Sequence, residues 1–177
     1  MGQTFEQLKA NFVQSGRLDW IGLRPSRGQP MAQVKQAQAI AGSGLEGDRA
    51  GSYSGSKRQV TLIQAEYLTV IQSFLPEVDI TPANLRRNLV VSGINLNSLV
   101  KQVINIGAVQ MEITGLCHPC NKLEQQLGHG VFKALRGHGG LTAKVLSSGL
   151  ICVGDTLEVC LDPTRGDLLE DSQAKLL

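Results

Sequence analysis

The 177-residue sequence has little of several features that define common protein classes. Aromatic residues make up 4% and charged residues 18%, against a usual charged share of about 25%. The net charge is only +2, which is too small for a general nucleic-acid or membrane-surface binder. No apolar run approaches the roughly 18 residues of a membrane helix, and the amino terminus lacks a signal-peptide pattern. We therefore predict a cytoplasmic protein that binds neither nucleic acid nor membrane.

Cysteine is also scarce, and four of these residues are too few for a secreted disulfide scaffold of this length. Cys152 and Cys160 fall in or at the end of a predicted strand, where core packing is the better interpretation. No nucleophile elbow, phosphate-binding loop or dinucleotide fingerprint is present, so the enzyme classes that they mark lose support. The close pair Cys117 and Cys120 remains, and in a reducing compartment such a pair indicates metal or redox chemistry.

Glycine, by contrast, is abundant, with 20 residues, and this favours many turns and short strands. About seven or eight short strands and three or four short helices, without regular alternation, predict a mainly β fold with short helices. We expect a mostly antiparallel, β-barrel-like domain over residues 18–160. Residues 1–17 are expected to form a helical extension, with a helix over Thr4–Gln14, and residues 161–177 a loosely packed acidic tail.

The pattern between the strands gives two further expectations. Residues 41–56 carry five of the glycines, so this stretch is predicted to be a long loop. Thr81 and Pro82 fit the first positions of a short helix that runs through Arg87. Since adjacent side chains on a helix lie about 100° apart, only one of Arg86 and Arg87 is expected to contact a ligand.

The motif Cys117-His118-Pro119-Cys120 is predicted to lie where a strand ends and a helix begins. Backbone donors at a helix start stabilise a thiolate, and Lys122 adds positive charge, so Cys120 is the candidate nucleophile or metal ligand. A dithiol oxidoreductase that uses both cysteines fits the local spacing, but the chain lacks the expected parallel-sheet rhythm. A structural zinc site fits poorly, since the histidines have unsuitable spacing.

Several basic residues lie at predicted element ends beside loops. Arginine binds phosphate or carboxylate through two parallel hydrogen bonds, and nearby glycines let backbone donors approach the same anion. Asp48 either fixes its loop through an ion pair or is a site carboxylate, and the first is the better interpretation. The candidate anion-binding residues, with Asn88 as a loop-fixing group, are Arg49, Arg58, Arg86, Arg87 and Arg136.

Five segments taken in order resemble the MOSC family, named for the carboxy-terminal domain of molybdenum cofactor sulfurases, which includes small stand-alone bacterial members. The resemblance covers roughly residues 18–159, and the ordered set is far more specific than any one motif. The segments are Gly44-Leu45-Glu46-Gly47-Asp48-Arg49, Arg58-Gln59-Val60-Thr61-Leu62-Ile63, Leu85-Arg86-Arg87-Asn88-Leu89-Val90-Val91, Gly115-Leu116-Cys117-His118-Pro119-Cys120 and residues 149–155.

The resemblance implies a β-barrel-like fold that binds molybdenum cofactor or carries sulfur through the cysteine at position 120. In this family that cysteine is thought to ligate molybdenum or to hold a persulfide, and some members reduce N-hydroxylated compounds. Because the cofactor is a phosphorylated pterin, the resemblance implies that the arginines and Lys122 bind its phosphate group. A sulfur donor or an electron-transfer protein would be the partner, and whether the protein is an enzyme stays open.

Three functional hypotheses follow from the sequence. The first is a protein that binds molybdenum cofactor or carries sulfur through Cys120. The second is a thiol-disulfide oxidoreductase that uses Cys117 and Cys120 together, and Cys117 could also resolve a persulfide as a disulfide. The third is a non-catalytic anion-binding module that needs its arginines and neither thiol.

Overall fold

Short strands make up most of the fold. The computed structural model describes residue 4, residues 14–52 and residues 55–160. Within them the strands are β1 (Gly16–Leu23), β2 (Ala32–Val34), β3 (Gln36–Ile40), β4 (Gly44–Leu45), β5 (Val60–Gln64), β6 (Leu89–Ser92), β7 (Val103–Ile106), β8 (Val109–Leu116), β9 (Leu141–Val145), β10 (Gly149–Cys152) and β11 (Thr156–Val159). The α-helices are α1 (Ala65–Phe74), α2 (Asn121–Leu127) and α3 (Val131–Ala134), and 3-10 turns cover Arg49–Ser52 and Leu96–Leu99.

Seven of the strands close into a barrel. Their order is β11-β7-β8-β9-β5-β6-β1, and β1 pairs back with β11, so the sheet has no free edge between them. β2 is added at the outside of β1, and β10, β3 and β4 form a smaller sheet. Every pairing is antiparallel except that of β5 with β6. The prediction of a mainly β, mostly antiparallel barrel with short helices is confirmed.

The parallel pair needs a connection that crosses over the barrel, and α1 supplies it. Parallel neighbours cannot be joined by a tight hairpin, because the chain must return to the same end of the sheet. α1 places Ile71 against an apolar cluster outside the barrel that includes Ile63, Leu123 and Val131. The crossover therefore holds α2 and α3 against the same side of the barrel as α1.

The barrel interior is filled by aliphatic side chains. Alternate residues of a strand point to opposite faces, and β7 shows this with Ile104 and Ile106 buried between half-exposed neighbours. Leu18, Leu62 and Leu89 are fully buried in the same cluster. Burying each such side chain contributes about 1.5–3 kcal/mol, so this interior is the main source of stability.

The predicted helix from Thr81 is replaced by a turn. The Thr81 hydroxyl accepts a hydrogen bond from the Asn84 amide at 3.1 Å, as a cap would, and the Leu85 amide donates to the Thr81 carbonyl at 2.9 Å. Arg86 then takes a left-handed conformation with a φ of 59°. Because a left-handed residue cannot continue a right-handed helix, the chain leaves the turn here and enters β6.

Other boundaries also differ from the sequence-based expectation. The predicted loop over residues 41–56 contains β4 and a 3-10 turn, because β4 pairs with β3 through Leu45 and Ala39. The predicted amino-terminal helix falls almost wholly outside the described residues, and so does the acidic tail over 161–177.

Candidate functional site

A buried ion pair organises the loops at one end of the barrel. The Asp48 carboxylate accepts hydrogen bonds from the Arg24 amide at 2.8 Å, from Arg24 Nε at 3.0 Å and from Arg24 Nη2 at 2.8 Å. Burial alone would raise the pKa of Asp48, but the hydrogen bonds and charge of Arg24 outweigh it and hold that pKa below its ordinary value. Asp48 is therefore a charged structural anchor that orients Arg24.

Asn88 connects this pair to the barrel. Its side-chain oxygen accepts hydrogen bonds from Arg24 Nη2 at 3.0 Å and from the Thr61 hydroxyl at 2.9 Å. Its side-chain nitrogen donates to the Gly22 carbonyl at 2.9 Å and to Asp48 Oδ2 at 2.8 Å. Asn88 is fully buried, so it is a positioning group that ties β1, β5 and β6 to the ion pair.

Arg86 and Arg87 both line one cavity, whereas helical spacing predicts that one of them faces solvent. The left-handed turn at Arg86 explains the difference, because it removes the helical spacing. Arg86 Nη1 donates to the Gln29 carbonyl at 2.6 Å. Arg87 is buried, with Nε donating to the Gly139 carbonyl at 2.8 Å and Nη1 to the Leu85 carbonyl at 2.6 Å.

The charged groups near Arg86 differ from those near Arg87. Burial lowers the pKa of Arg86, and the neighbouring charges of Arg24 and Arg49 lower it further. Burial also lowers the pKa of Arg87, but the thiols Cys117 and Cys120 act in the opposite direction. Arg86 thus lies near other guanidinium groups, and Arg87 lies near the two thiols.

The cysteine motif lies between β8 and α2, as the sequence predicts. Cys120 is exposed and occupies the position just before α2. The Cys117 amide donates to the Gly140 carbonyl at 2.7 Å. A Cβ atom at position 139 would overlap the Cys117 carbonyl oxygen, so only glycine lets the segment 135–140 pack this closely against the motif.

The cavity beside Cys120 is called the arginine cavity and encloses about 160 Å³. Apart from the uncharged Gly28, Leu85, Leu123 and Gln126, its walls hold one thiol, one imidazole and six cationic side chains. The thiol is Cys120, the imidazole is His118, and the cations are Arg24, Arg27, Arg49, Arg86, Arg87 and Lys122.

Sequence reasoning missed two members of this set. Arg24 and Arg27 lie in the segment after β1, where Pro25, Gly28 and Pro30 read as a turn. Two arginines three residues apart in a glycine- and proline-containing loop were a usable signal, since functional groups concentrate in loops held by a rigid scaffold.

Two candidate residues lie elsewhere. Arg58 is exposed and lines neither of the two cavities at this end of the barrel. Arg136 lines a second cavity of about 180 Å³, called the Cys117 cavity, together with Cys117 and His118. The structure therefore separates Arg136 from the other arginines, which the sequence places in one group.

The other two cysteines line neither cavity. Cys152 ends β10 and Cys160 follows β11, and both are half-buried free thiols.

No group of three or more His, Cys, Asp or Glu side chains among the described residues could hold a metal ion. None of the helices in the described part of the chain is both long and apolar enough to span a membrane.

The barrel fold has counterparts among solved structures. The YuaD protein of Bacillus subtilis is similar over 82% of this chain and 96% of its own, with 20% identity and a TM-score of 0.70. YiiM of Escherichia coli is similar over 82% of this chain and 70% of its own, with 19% identity and a TM-score of 0.64. These similarities show a shared fold.

The sequence itself gives the family. No curated protein gives a significant match, but the family model of the MOSC domain matches residues 48–158. This match spans more than half of the chain and includes Asp48, Arg86, Arg87 and Cys120. The chain therefore belongs to the MOSC domain family, which is associated with molybdenum cofactor binding.

Proposed function

We propose that the protein binds molybdenum cofactor in the arginine cavity, with the Cys120 thiol at the metal and guanidinium groups at the phosphate. The observation that supports this most strongly is the combination of one exposed thiol with six cationic side chains in a single cavity. The Asp48 carboxylate is already paired with Arg24, so it does not neutralise the other cationic side chains of the arginine cavity. The cavity thus carries a large excess of positive charge.

The donor chemistry fits the two ends of a phosphorylated pterin that carries molybdenum. Thiolate is a soft ligand of the kind that such metals accept, and Cys120 supplies it beside the buried Arg87. Arginine forks match phosphate geometry, and the charges of Arg24 and Arg49 lie close enough to Arg86 to lower its pKa. The charge of Arg24 also lowers the pKa of Arg87.

When bound, the cofactor would supply two-electron redox chemistry at its metal. The chain's own residues would bind and orient it: Arg24 and Arg86 hold the phosphate, and Cys120 fixes the metal end. Reduction of N-hydroxylated compounds is then the reaction to assay, with electrons from a separate electron-transfer protein. We place the protein in the cytoplasm, where its free thiols stay reduced.

A sulfur-carrier role is the second candidate, because Cys120 is exposed at the mouth of the cavity. A persulfide on this thiol would lie beside Arg87 and Lys122, whose charges stabilise the anion. A sulfur-donor protein would be the partner in that case.

Anaerobic purification from a host that makes molybdenum cofactor tests the proposal. We expect bound molybdenum and pterin in wild type, loss of both in Cys120→Ser, and retention in Lys133→Gln, an exposed control that lines neither cavity. Arg86→Gln should weaken pterin retention about tenfold, since a charge-assisted hydrogen bond is lost.

The other outcomes separate the candidates. Cofactor retained by Cys120→Ser leaves sulfur transfer as the role of the thiol, and wild-type protein without cofactor contradicts the binding proposal. The dithiol alternative predicts a reversible disulfide that needs both Cys117 and Cys120, and both are free thiols in the structure.

A further inference from the structure

The Cys117 cavity is distinct from the arginine cavity. Cys120 and Arg87 line the arginine cavity, while Cys117 and Arg136 line the other, and His118 is the one residue that lines both. The segment 117–120 borders both cavities. Cys117 therefore has a ligand-sized space of its own, of about 180 Å³, and its role does not depend on pairing with Cys120.

The charge in the Cys117 cavity is positive. Arg136 is exposed at its edge, His118 contributes an imidazole, and no Asp or Glu is among the described residues that line it. The buried Arg87 donates a hydrogen bond from Nε to the carbonyl of Gly139 at 2.8 Å, and Gly139 lines this cavity, so a second guanidinium group lies beside it. An anionic ligand is therefore favoured over a neutral or cationic one.

Unpaired backbone donors point to the same conclusion. Gly137, Gly139 and Gly140 line the cavity, and their N–H groups donate to no residue in the described part of the chain. Gly139 and Gly140 are buried, and a buried N–H without a partner costs free energy unless water or a ligand accepts its hydrogen bond. Successive backbone donors with left-handed glycines are typical of anion-binding concavities, and Gly137 and Gly140 have φ values of 81° and 87°.

A thiol beside an oxyanion site is suited to one class of substrate. We propose that the Cys117 cavity binds the sulfonate-like SO3 end of thiosulfate and that Cys117 accepts its outer sulfur. The Cys117 thiolate attacks that sulfur, so a new S–S bond forms on Cys117. The bond between the outer sulfur and the sulfonate sulfur breaks, and sulfite leaves with the electron pair. The products are a Cys117 persulfide anion and sulfite, and no other reactant is needed.

Thiosulfate is the probe for this reaction. Purified wild-type protein, Cys117→Ser and Cys120→Ser are mixed with thiosulfate under anaerobic conditions, and released sulfite and the gain of one sulfur atom in intact mass are measured. We expect wild type and Cys120→Ser to release sulfite and to gain sulfur at Cys117, as located by peptide mapping. Cys117→Ser should do neither.

The role of the anion site has its own variants. Arg136 is exposed, so Arg136→Gln should fold normally and slow sulfite release about tenfold, while Lys133→Gln, on the neighbouring helix, should react like wild type. Inorganic sulfate should compete in wild type. Sulfur found only on Cys120, absence of sulfite release, or an Arg136→Gln rate equal to wild type would each overturn the inference. Cofactor binding in the arginine cavity is measured separately, so failure here leaves that proposal standing.

Discussion

The barrel interior and the loop end of the molecule are held together by different forces. Inside the barrel, Leu62, Ile104 and Leu157 are fully buried among other aliphatic side chains, and the stabilising interaction is non-directional burial. At the loop end, buried Asp48 and Asn88 are fixed by hydrogen bonds with defined donors and acceptors. Burial in the interior has no preferred direction, whereas each polar group at the loop end depends on a particular partner.

This difference has a functional consequence. The six cationic side chains that line the arginine cavity repel one another, so the loops that carry them need rigid support. The Asp48–Arg24 pair and Asn88 provide it by joining loops that are 24 to 64 residues apart in sequence. The polar network thus holds the arginine cavity open, while the stability of the barrel comes mainly from its aliphatic interior.

The contact between the two regions gives the largest expected effect. Gly140 precedes β9, and a Cβ atom there would overlap the Leu62 carbonyl oxygen of β5. Gly140→Ala should lower the free energy of unfolding by about 4 kcal/mol or more, because backbone atoms must move. Gly137→Ala is the matched control: it has a similar φ and open space around it, so it should cost about 1–2 kcal/mol. Urea denaturation measures both, and equal losses would show that close packing at Gly140 is not the cause.

The buried ion pair gives the next largest effect. Asp48→Asn leaves the Arg24 guanidinium, which is only 13% exposed, without its charge partner, and should cost about 3 kcal/mol at pH 7. The folded-state pKa of Asp48 lies below the ordinary value of 3.8. Its contribution is therefore complete above pH 3.8 and is lost as the pH falls through the lowered folded-state pKa.

The pH dependence provides the control for that prediction. Between pH 7 and pH 3, urea denaturation should show a smaller loss of stability in Asp48→Asn than in wild type, because the variant has no carboxylate to protonate. An identical acid profile in the two proteins would mean that Asp48 does not have a lowered pKa in the folded state.

The same contrast explains what the sequence can predict. Apolar alternation is local, so β1, the β7–β8 hairpin and α1 are evident from residues that lie side by side in the chain. The βαβ crossover of β5 and β6 is less evident, because the parallel pairing depends on which strands meet in space. Thr81 and Pro82 predicted a helix where the structure has a turn capped by the Thr81 hydroxyl, because the left-handed Arg86 is a backbone conformation that side-chain patterns do not reveal.

The sequence predicts which types of residue form the candidate site better than it predicts how they are arranged in space. Cys120, Arg86 and Arg87 carry recognisable chemistry and belong to one cavity. Arg24 was missed because its partners, Asp48 and Asn88, are remote in sequence. Which residues share a cavity is decided by the path of the loops, and this is also why the sequence does not separate Cys117 from Cys120.

The smallest expected effect concerns Arg86, where the two regions meet in one residue. A non-glycine residue at a φ of 59° is strained, and removing left-handed strain is worth about 1 kcal/mol. Arg86→Gly should therefore be about 1 kcal/mol more stable than Arg86→Ala, since both lose the same side-chain contacts and only glycine relieves the backbone. Inorganic phosphate should raise the Tm of wild type, and both variants should lose this increase because the guanidinium is absent. Urea denaturation compares the stabilities of the two variants. Thermal melts with phosphate test binding.

If Arg86→Ala were as stable as Arg86→Gly, the backbone strain at this position would be negligible. If either variant kept the phosphate response, Arg86 would not be part of the anion site. The expected result means that the cavity keeps a strained arginine where glycine would be more stable, because the guanidinium is needed there.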